Sequence, residues 1–366
     1  MSLKDSKLRL RAFLSSAGFV AFFTVLPLVN VLAWGDEGHR ITVRIAARHL
    51  DSQARAEVGR LILADVRNNG FYYQQSCPNV FAISKKPANE WTDADKNTFV
   101  YDGLACIASW ADPPVKNQRN YTSNWHFVDI PVVRATSQSP LRYSYDAARD
   151  CPTDEKRGDC AVQALRRLEF VLGNPKKQGH VYGEELTTRA DAFKFFIHIV
   201  GDIHQPLHCV THKKNEQAVA DLTDTGDLGG NFTLVSWFGD TDTPYGFMNL
   251  HSVWDSSIIE RAIQSETQKE TGYTNRLISN SQSLNLAQIQ AGDTSDWIAK
   301  SYDLAVTNAY GKLPVFDGAC QMKFENQTKT GCHKLSENYY SVNKSKIEEQ
   351  LIYGGVRLAK KLNSLF

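Results

Sequence analysis

The chain has 366 residues, of which 42% are hydrophobic and 22% charged, and its formal net charge is +1. This is the composition of an ordinary folded protein, long enough for one large domain or two small ones. No basic excess is present, which argues against a protein that wraps duplex DNA through its phosphates. The sequence also contains neither a G-x-G-x-x-G fingerprint nor a P-loop.

The first 33 residues have the pattern of a secretory signal peptide. Four basic residues precede an apolar run from Phe13 to Ala33, and small residues stand at the expected cleavage point. An uncleaved membrane anchor is the alternative. Residues 1–33 carry four basic side chains and one acidic one, so cleavage after Ala33 changes the net charge from +1 to −2. We therefore expect a signal peptide over 1–33 and a functional domain over 34–366, secreted or periplasmic and without a membrane segment.

Hydrophobic periodicity and turn residues predict the elements that follow. An amphipathic helix over 41–50 and a second over 53–66 come first, and residues 67–104 are predicted to be irregular. The remaining predictions are helices at 159–172 and 184–204, a loop at 211–227, a short hairpin piece from 229, a helix beginning at 249, and helices at 294–311 and 345–364. The sequence lacks βαβ alternation, so the predicted class is mainly α.

Seven cysteines in an exported chain indicate disulfides. Closeness in sequence favours the pairs Cys77–Cys106, Cys151–Cys160 and Cys320–Cys332, although connectivity does not follow from sequence alone. Cys209 is then left over. It is expected to be a small buried residue, with a zinc thiolate as the alternative.

Two His/Asp pairs point to metal binding. His198 and Asp202 are four residues apart in an apolar segment, and His251 and Asp255 repeat that spacing. On a helix such a pair shares one face and can reach one cation. A single pair is more often a surface hydrogen bond, but a carboxylate among apolar residues is costly to bury without a partner. Pro206 ends the helix, so the side chain of His208 can serve a neighbouring cation.

The order of six motifs resembles a known family. The motifs are WGxxGH from Trp34, ASWAD ending at Asp112, WHFVD ending at Asp129, HxxxD-IHQPLH from His198 to His208, GGN ending at Asn231, and LHxVWD ending at Asp255. They resemble the secreted type I single-strand-specific nucleases and 3′-nucleotidases. The resemblance implies a single-domain, multi-helix fold shared with zinc-dependent phospholipase C, with three zinc ions in a cleft.

The same resemblance implies the zinc ligands. One zinc would be held by Asp112, His126, His198 and Asp202. Asp202 would bridge to a second zinc, which the α-amine and carbonyl of Trp34 and the side chain of His39 would also hold. The third zinc would be held by His208, His251 and Asp255. Each ion would keep room for water or substrate, as catalytic zinc requires.

The implied reaction is hydrolysis of P–O3′ bonds in single-stranded DNA, RNA and 3′-mononucleotides, leaving a 5′-phosphate and a 3′-hydroxyl. Phe127 would stack on a nucleobase, Asp129 would bind its edge, and Asn231 would line the same pocket. Stacking explains a single-strand preference, because a base in a duplex has no free face. A core aromatic is the alternative for Phe127.

The sequence departs from the family in two respects. The family usually has a basic residue three positions after the ASWAD aspartate, but here Val115 occupies that position and Lys116 follows it. Lys116 is therefore a candidate phosphate contact and, with Asp202, a candidate catalytic residue. Segments 67–104 and 211–227 are longer than is usual and could reshape the cleft.

A phospholipase C and a non-catalytic zinc-binding protein are the rival hypotheses. No stable protein partner is implied, and a monomer is expected.

Overall fold

The structure is a computed structural model, and it describes residues 34–112, 120–137, 139–151, 159–174, 180–181, 184–185, 189–221 and 223–366. The predicted signal peptide and Lys116 lie outside these residues. The described part is mainly helical, as predicted, and it shares one hydrophobic core. None of its helices is long and apolar enough to cross a membrane.

Helices build the N-terminal part of the fold. They are α1 (Asp36–His49), α2 (Ser52–Asn68), α3 (Gly70–Ser76), α4 (Pro78–Ser84) and α5 (Asp93–Ile107). The first two match the predictions, but the prediction that 67–104 is irregular was wrong. Pro78 begins α4 at a position where its missing N–H costs nothing, and Thr92 and Asp95 form a capping box that starts α5. The turn residues in this segment separate short helices instead of marking a loop.

The central helix is α8 (Arg189–Asp202), after the shorter α6 (Ala147–Asp150) and α7 (Ala161–Gly173). Every residue from Ala190 to Asp202 is buried, because α1, α2, α7 and the C-terminal helix pack around it. The prediction of a helix over 184–204 set its start too early, since Glu184–Glu185 form a strand. The buried carboxylate of Asp202 is therefore held on the most enclosed element of the fold.

Short strands carry the connections around α8. They are β1 (Pro131–Val133), β2 (Leu141–Arg142), β3 (His180–Val181), β4 (Glu184–Glu185), β5 (Thr211–Lys213), β6 (Val235–Trp237), β7 (Asp242–Thr243) and β8 (Gly246–Phe247). β5 pairs in parallel with β1, and β2 pairs antiparallel with β1 on its other side. The prediction of a loop over 211–227 missed β5 and the helix α9 (Glu216–Ala220).

The C-terminal part returns to helices. They are α10 (Leu250–Ser252), α11 (Ile258–Gln264), α12 (Lys269–Gln282), α13 (Leu286–Gln290), α14 (Thr294–Leu304) and α15 (Glu337–Leu365). π-helical turns at Val253–Ser257 and Ala305–Tyr310 extend α10 and α14. The helices predicted at 249, 294–311 and 345–364 are confirmed. In place of the hairpin piece predicted from 229, a turn leads into β6, which joins an unpredicted hairpin of β9 (Phe316–Phe324) and β10 (Gln327–Leu335).

The three disulfides predicted from sequence spacing are confirmed. Cys77 pairs with Cys106, Cys151 with Cys160, and Cys320 with Cys332. Cys209 is a free, buried thiol whose Sγ contacts the carbonyl of Ile203, and burial raises the pKa of this thiol. Its surroundings are those of a small core residue.

Helix α1, which carries the predicted ligand His39, is held against α15 by an unusually close approach. A Cβ built on Gly355 would lie 2.6 Å from Cβ of Ile45 and 2.7 Å from the carbonyl oxygen of Thr42. Neither atom can move by a side-chain rotation, so only glycine fits here. The middle of α1 is thereby held against α15.

We predict that Gly355→Ala lowers the melting temperature by several degrees. Overpacking a core costs about 1–3 kcal/mol, which exceeds the gain in helix propensity of about 1 kcal/mol. Gly59→Ala is the matched control, because a Cβ there would meet only Val100 at 3.5 Å. That variant should melt at the wild-type temperature or slightly above it. Equal melting temperatures for the two variants would contradict the close approach.

Candidate metal centre

Eight imidazole and carboxylate side chains converge on one region, and each is at most 5% exposed. They come from α1, the turn after α5, the 3₁₀ turn Asn120–His126, the C-terminal end of α8, the 3₁₀ turn Pro206–Cys209, and the segment that begins at α10. The residues are His39, Asp112, His126, His198, Asp202, His208, His251 and Asp255. Segments far apart in sequence therefore build one cluster of nitrogen and oxygen donors.

The two oxygens of the Asp202 carboxylate face different histidines. Its Oδ1 is 3.2 Å from Nε2 of His39, whereas its Oδ2 is 3.0 Å from Nδ1 of His126 and 3.4 Å from Nε2 of His198. Each oxygen thus faces a different group. Asp112 lies beside His198, with its Oδ1 3.6 Å from Nε2 of that histidine.

The contact between His39 and Asp202 is close but is not a hydrogen bond. Neither ring nitrogen of His39, nor Oδ1 of Asp202, has a hydrogen-bond partner among the described residues. Buried polar atoms without partners are rare and costly. Two ligands at about 2.05 Å from a tetrahedral zinc ion are separated by roughly 3.3 Å, which is close to the observed distances. The donors of Asp202 and His39 therefore fit a shared cation better than they fit each other.

Hydrogen bonds to the backbone fix which nitrogen of His198 faces the cluster. Its Nδ1 donates to the carbonyl of Ala108 at 2.8 Å, which leaves Nε2 as the inward-facing donor atom.

Burial lowers the pKa of His198, but the carboxylates of Asp202 and Asp112 outweigh burial and raise that pKa to about 9. Burial and the neighbouring His198 lower the pKa of His39 well below its usual range. A dication would displace the proton from His198, whereas His39 is already neutral.

His208, His251 and Asp255 form a further group, in which backbone carbonyls again fix the nitrogen of each histidine that faces the cluster. Nδ1 of His208 donates to the carbonyl of His126, and Nδ1 of His251 donates to the carbonyl of Gly229, both at 2.7 Å. The two Nε2 atoms then face each other at 3.1 Å, and Oδ2 of Asp255 lies 3.3 Å from Nε2 of His251. In these neutral tautomers both Nε2 atoms carry lone pairs. Such an arrangement calls for a cation or a proton between them.

Three supporting residues were missed by sequence reasoning, although two of them, Gln205 and Gly229, lie in the quoted motifs. Nε2 of Gln205 donates to Oδ1 of Asp255 at 2.6 Å and orients that carboxylate. Gly229 has φ of +60°, and a Cβ there would lie 2.2 Å from the carbonyl oxygen of Leu207. Glycine is therefore required where the backbone turns to present its carbonyl to His251. A residue just before GGN, Asp227, accepts from Tyr310, His212 and Thr233 and so anchors this turn.

The other predicted residues lie around the cluster. Trp34 is fully buried, and its indole Nε1 donates to the carbonyl of Gly201 at 2.9 Å, next to Asp202. Phe127 and Asp129 are half-buried, on either side of the buried Val128. Asn231 is 8% exposed, and its amide donates to the carbonyl of Leu228.

Three groups of donors lie close enough to hold a metal ion, and two of them share His198, whose single inward-facing Nε2 can serve only one ion. They are His39 with Asp112 and His198, His126 with His198 and Asp202, and His208 with His251 and Asp255, and the ligand atoms in each lie within 4.8 Å of one another. The predicted grouping placed His39 with Trp34 and Asp202; the geometry adds Asp112 and His198 to its neighbours. Imidazole and carboxylate without thiolate form a donor set typical of zinc.

The chain belongs to the S1/P1 nuclease family, whose profile matches residues 34–366. It is therefore a hydrolytic nuclease, and this assignment decides against the phospholipase C and non-catalytic alternatives.

Endonuclease 4 of Arabidopsis thaliana is 28% identical over 360 residues, covering 95% of this chain and 94% of that protein. Nuclease S1 of Aspergillus oryzae is 27% identical over 276 residues (71% and 78%), and nuclease P1 of Penicillium citrinum 26% over 265 residues (72% and 84%).

We predict that metal removal destabilises the fold. The purified protein is treated with a chelator, and the chelator is then removed by dialysis. This treatment should lower the melting temperature, because the buried donors would lose the cation that they hold. Adding Zn²⁺ should restore it, since a site filled at 1,000 times its Kd contributes about 4 kcal/mol. Mg²⁺ at the same concentration should not, because imidazole donors suit it poorly. A melting temperature insensitive to both chelator and Zn²⁺ would contradict the assignment of a metal centre.

Proposed function

We propose that this nuclease uses three zinc ions to hydrolyse P–O3′ bonds of single-stranded DNA, RNA and 3′-mononucleotides, giving 5′-phosphate and 3′-hydroxyl products. The observation that carries the proposal is the position of Asp202. Its two oxygens face His39 on one side and His126 with His198 on the other. A carboxylate so placed can bridge two cations, whereas a single cation would leave one oxygen unpartnered.

Zinc ions bound there would lower the pKa of a water molecule, accept phosphate oxygens and stabilise the leaving O3′. The protein's own residues do the positioning. His198 and His251 keep one nitrogen on backbone carbonyls and present the other inward. Gln205 holds one oxygen of Asp255 and leaves the other facing His251. The donors thus keep their orientation whether or not substrate is present.

We propose that the α-amine and carbonyl of Trp34 complete the site of His39 and Asp202. The indole of Trp34 is tied to the carbonyl of Gly201, and the N–H of Gly35 donates to the carbonyl of Asp255 at 2.9 Å. Those two bonds fix the backbone at Trp34 beside both parts of the cluster. Cleavage after Ala33 would place a free amine there. The proposal of a signal peptide over 1–33 and of export, to the periplasm or outside the cell, agrees with the three disulfides.

Substrate preference would come from residues next to the cluster. Phe127 follows the donor His126, and its half-exposed ring can take a nucleobase by stacking, with Asp129 and Asn231 as polar contacts to the base edge. A paired base in a duplex offers no such face, so single strands are preferred. Lys116 is proposed as a phosphate contact on sequence grounds. The active form is proposed to be a monomer without a stable protein partner.

We predict that Asp202→Asn reduces hydrolysis on the order of 100-fold or more and lowers zinc content, because a neutral amide bridges two dications poorly. Substrates should include single-stranded DNA, RNA, a 3′-mononucleotide, duplex DNA and phosphatidylcholine, with wild-type hydrolysis restricted largely to the first three. Asp93→Asn is the matched control, since Asp93 is 93% exposed. Wild-type rates with full zinc in the Asp202 variant would contradict the proposal.

A further inference from the structure

Residues of the segment 67–104 build one wall of a cleft of about 780 Å³. That volume lies within the range of small-molecule sites. The wall is formed by α3, α4 and α5, and the disulfide Cys77–Cys106 joins the junction of α3 and α4 to the end of α5. The opposite wall is the outer face of α1. The base pocket proposed at Phe127 includes none of these residues.

The cleft adjoins the metal centre on the side of His39 and Asp112. Asp36 and Arg40, which line it, flank His39 in α1, and Ser109 and Trp110 lie three and two residues before Asp112. Asp112 is held in the same turn, because its N–H donates to the carbonyl of Ser109 at 3.1 Å. A chain whose phosphate sits at the cluster therefore has this cleft within reach of a neighbouring nucleotide.

Two aromatic rings line the cleft near the end of α5, those of Tyr72 and Trp110. The hydroxyl of Tyr72 donates to the carbonyl of Cys106 at 2.7 Å, yet the residue is 45% exposed. Trp110 is half-buried, with Nζ of Lys194 3.8 Å from its ring centroid and the ring of Phe195 set edgewise at 5.2 Å. Rings fixed on one side and open on the other are the platforms on which unpaired bases stack.

The charged residues of the cleft are engaged with partners. Arg40 and Arg44 each form an ion pair with Glu270 at 2.7 Å, and Asp65 pairs with the buried Lys194 at 2.8 Å. Asp36 and Asp102 add negative charge to the lining. A phosphate has no free cation to bind here among the described lining residues. The chemistry favours an uncharged ring with polar edges, for which Asn69, Asn79 and Ser76 offer hydrogen bonds.

We propose that this cleft is a second nucleobase subsite, which binds a base of the substrate strand adjacent to the nucleotide at the metal centre, through Tyr72 and Trp110. The inference rests on the proposed nuclease reaction. It makes the enzyme sensitive to substrate length, because a mononucleotide cannot reach both base sites. The 67–104 segment then serves to select oligonucleotides.

The test compares KM and kcat on a 3′-mononucleotide and on single-stranded oligonucleotides of two, four and eight residues, with zinc-loaded protein. Tyr72→Ala should raise KM for the oligonucleotides about 5- to 100-fold, the range expected for loss of one stacked base. KM for the mononucleotide and kcat for both should stay unchanged. Tyr72→Phe keeps the ring but loses the hydrogen bond to Cys106, so its KM for oligonucleotides should lie between those of wild type and Tyr72→Ala. Tyr245→Ala, which removes a 69% exposed tyrosine elsewhere, should behave like wild type.

A second variant fills the cleft without touching Tyr72. Ser76 and Asn79 are exposed lining residues, so the double change Ser76→Leu with Asn79→Leu should fold and block the cleft. It should also raise KM for oligonucleotides alone. Unchanged oligonucleotide KM in both variants, or a parallel loss on the mononucleotide, would overturn the subsite and leave the nuclease proposal standing. If wild-type protein hydrolyses none of these substrates, the proposed reaction itself fails.

Discussion

The burial of one carboxylate constrains this structure more than any other feature. Asp202 is fully buried at the end of an enclosed helix, with one oxygen facing His39 and the other facing His126 and His198. An isolated carboxylate in such a place is too costly to keep, so its surroundings must supply positive charge. The raised pKa of His198 reflects the same requirement, because the carboxylates of Asp202 and Asp112 favour a positive charge on that ring. Metal ions bound there would satisfy that requirement and would at the same time supply the chemistry of the proposed reaction.

The rest of the fold brings donors to that carboxylate. The close contact of α1 with α15 sets the position of His39, and Trp34 ties the start of the described chain to α8. The turn around Gly229 orients His251, and Asp227 with Tyr310 anchors that turn. These contacts join segments far apart in sequence. The hydrophobic core therefore does more than stabilise the protein, because it fixes the distances on which metal binding depends.

The sequence predicted much of this arrangement, because the donors lie in short motifs with recognisable spacing. Both His/Asp pairs, the three disulfides and the helices α1, α2 and α7 were predicted from local pattern. Pattern failed where elements are short. Helices α3 and α4 have seven residues each, and too little periodicity separates them from a loop. The contacts of Gln205 and Asp227 depend on tertiary position, which single-sequence patterns do not encode.

The most direct test of the metal cluster is anomalous diffraction at the zinc absorption edge from crystals of protein beginning at Trp34. Three peaks are predicted, two of them on either side of the carboxylate of Asp202 and one among His208, His251 and Asp255. Protein carrying an added Gly-Ser before Trp34 should lose the peak next to His39, because an amide nitrogen is a poor ligand. No peak beside Asp202 in the protein that begins at Trp34 would contradict the account.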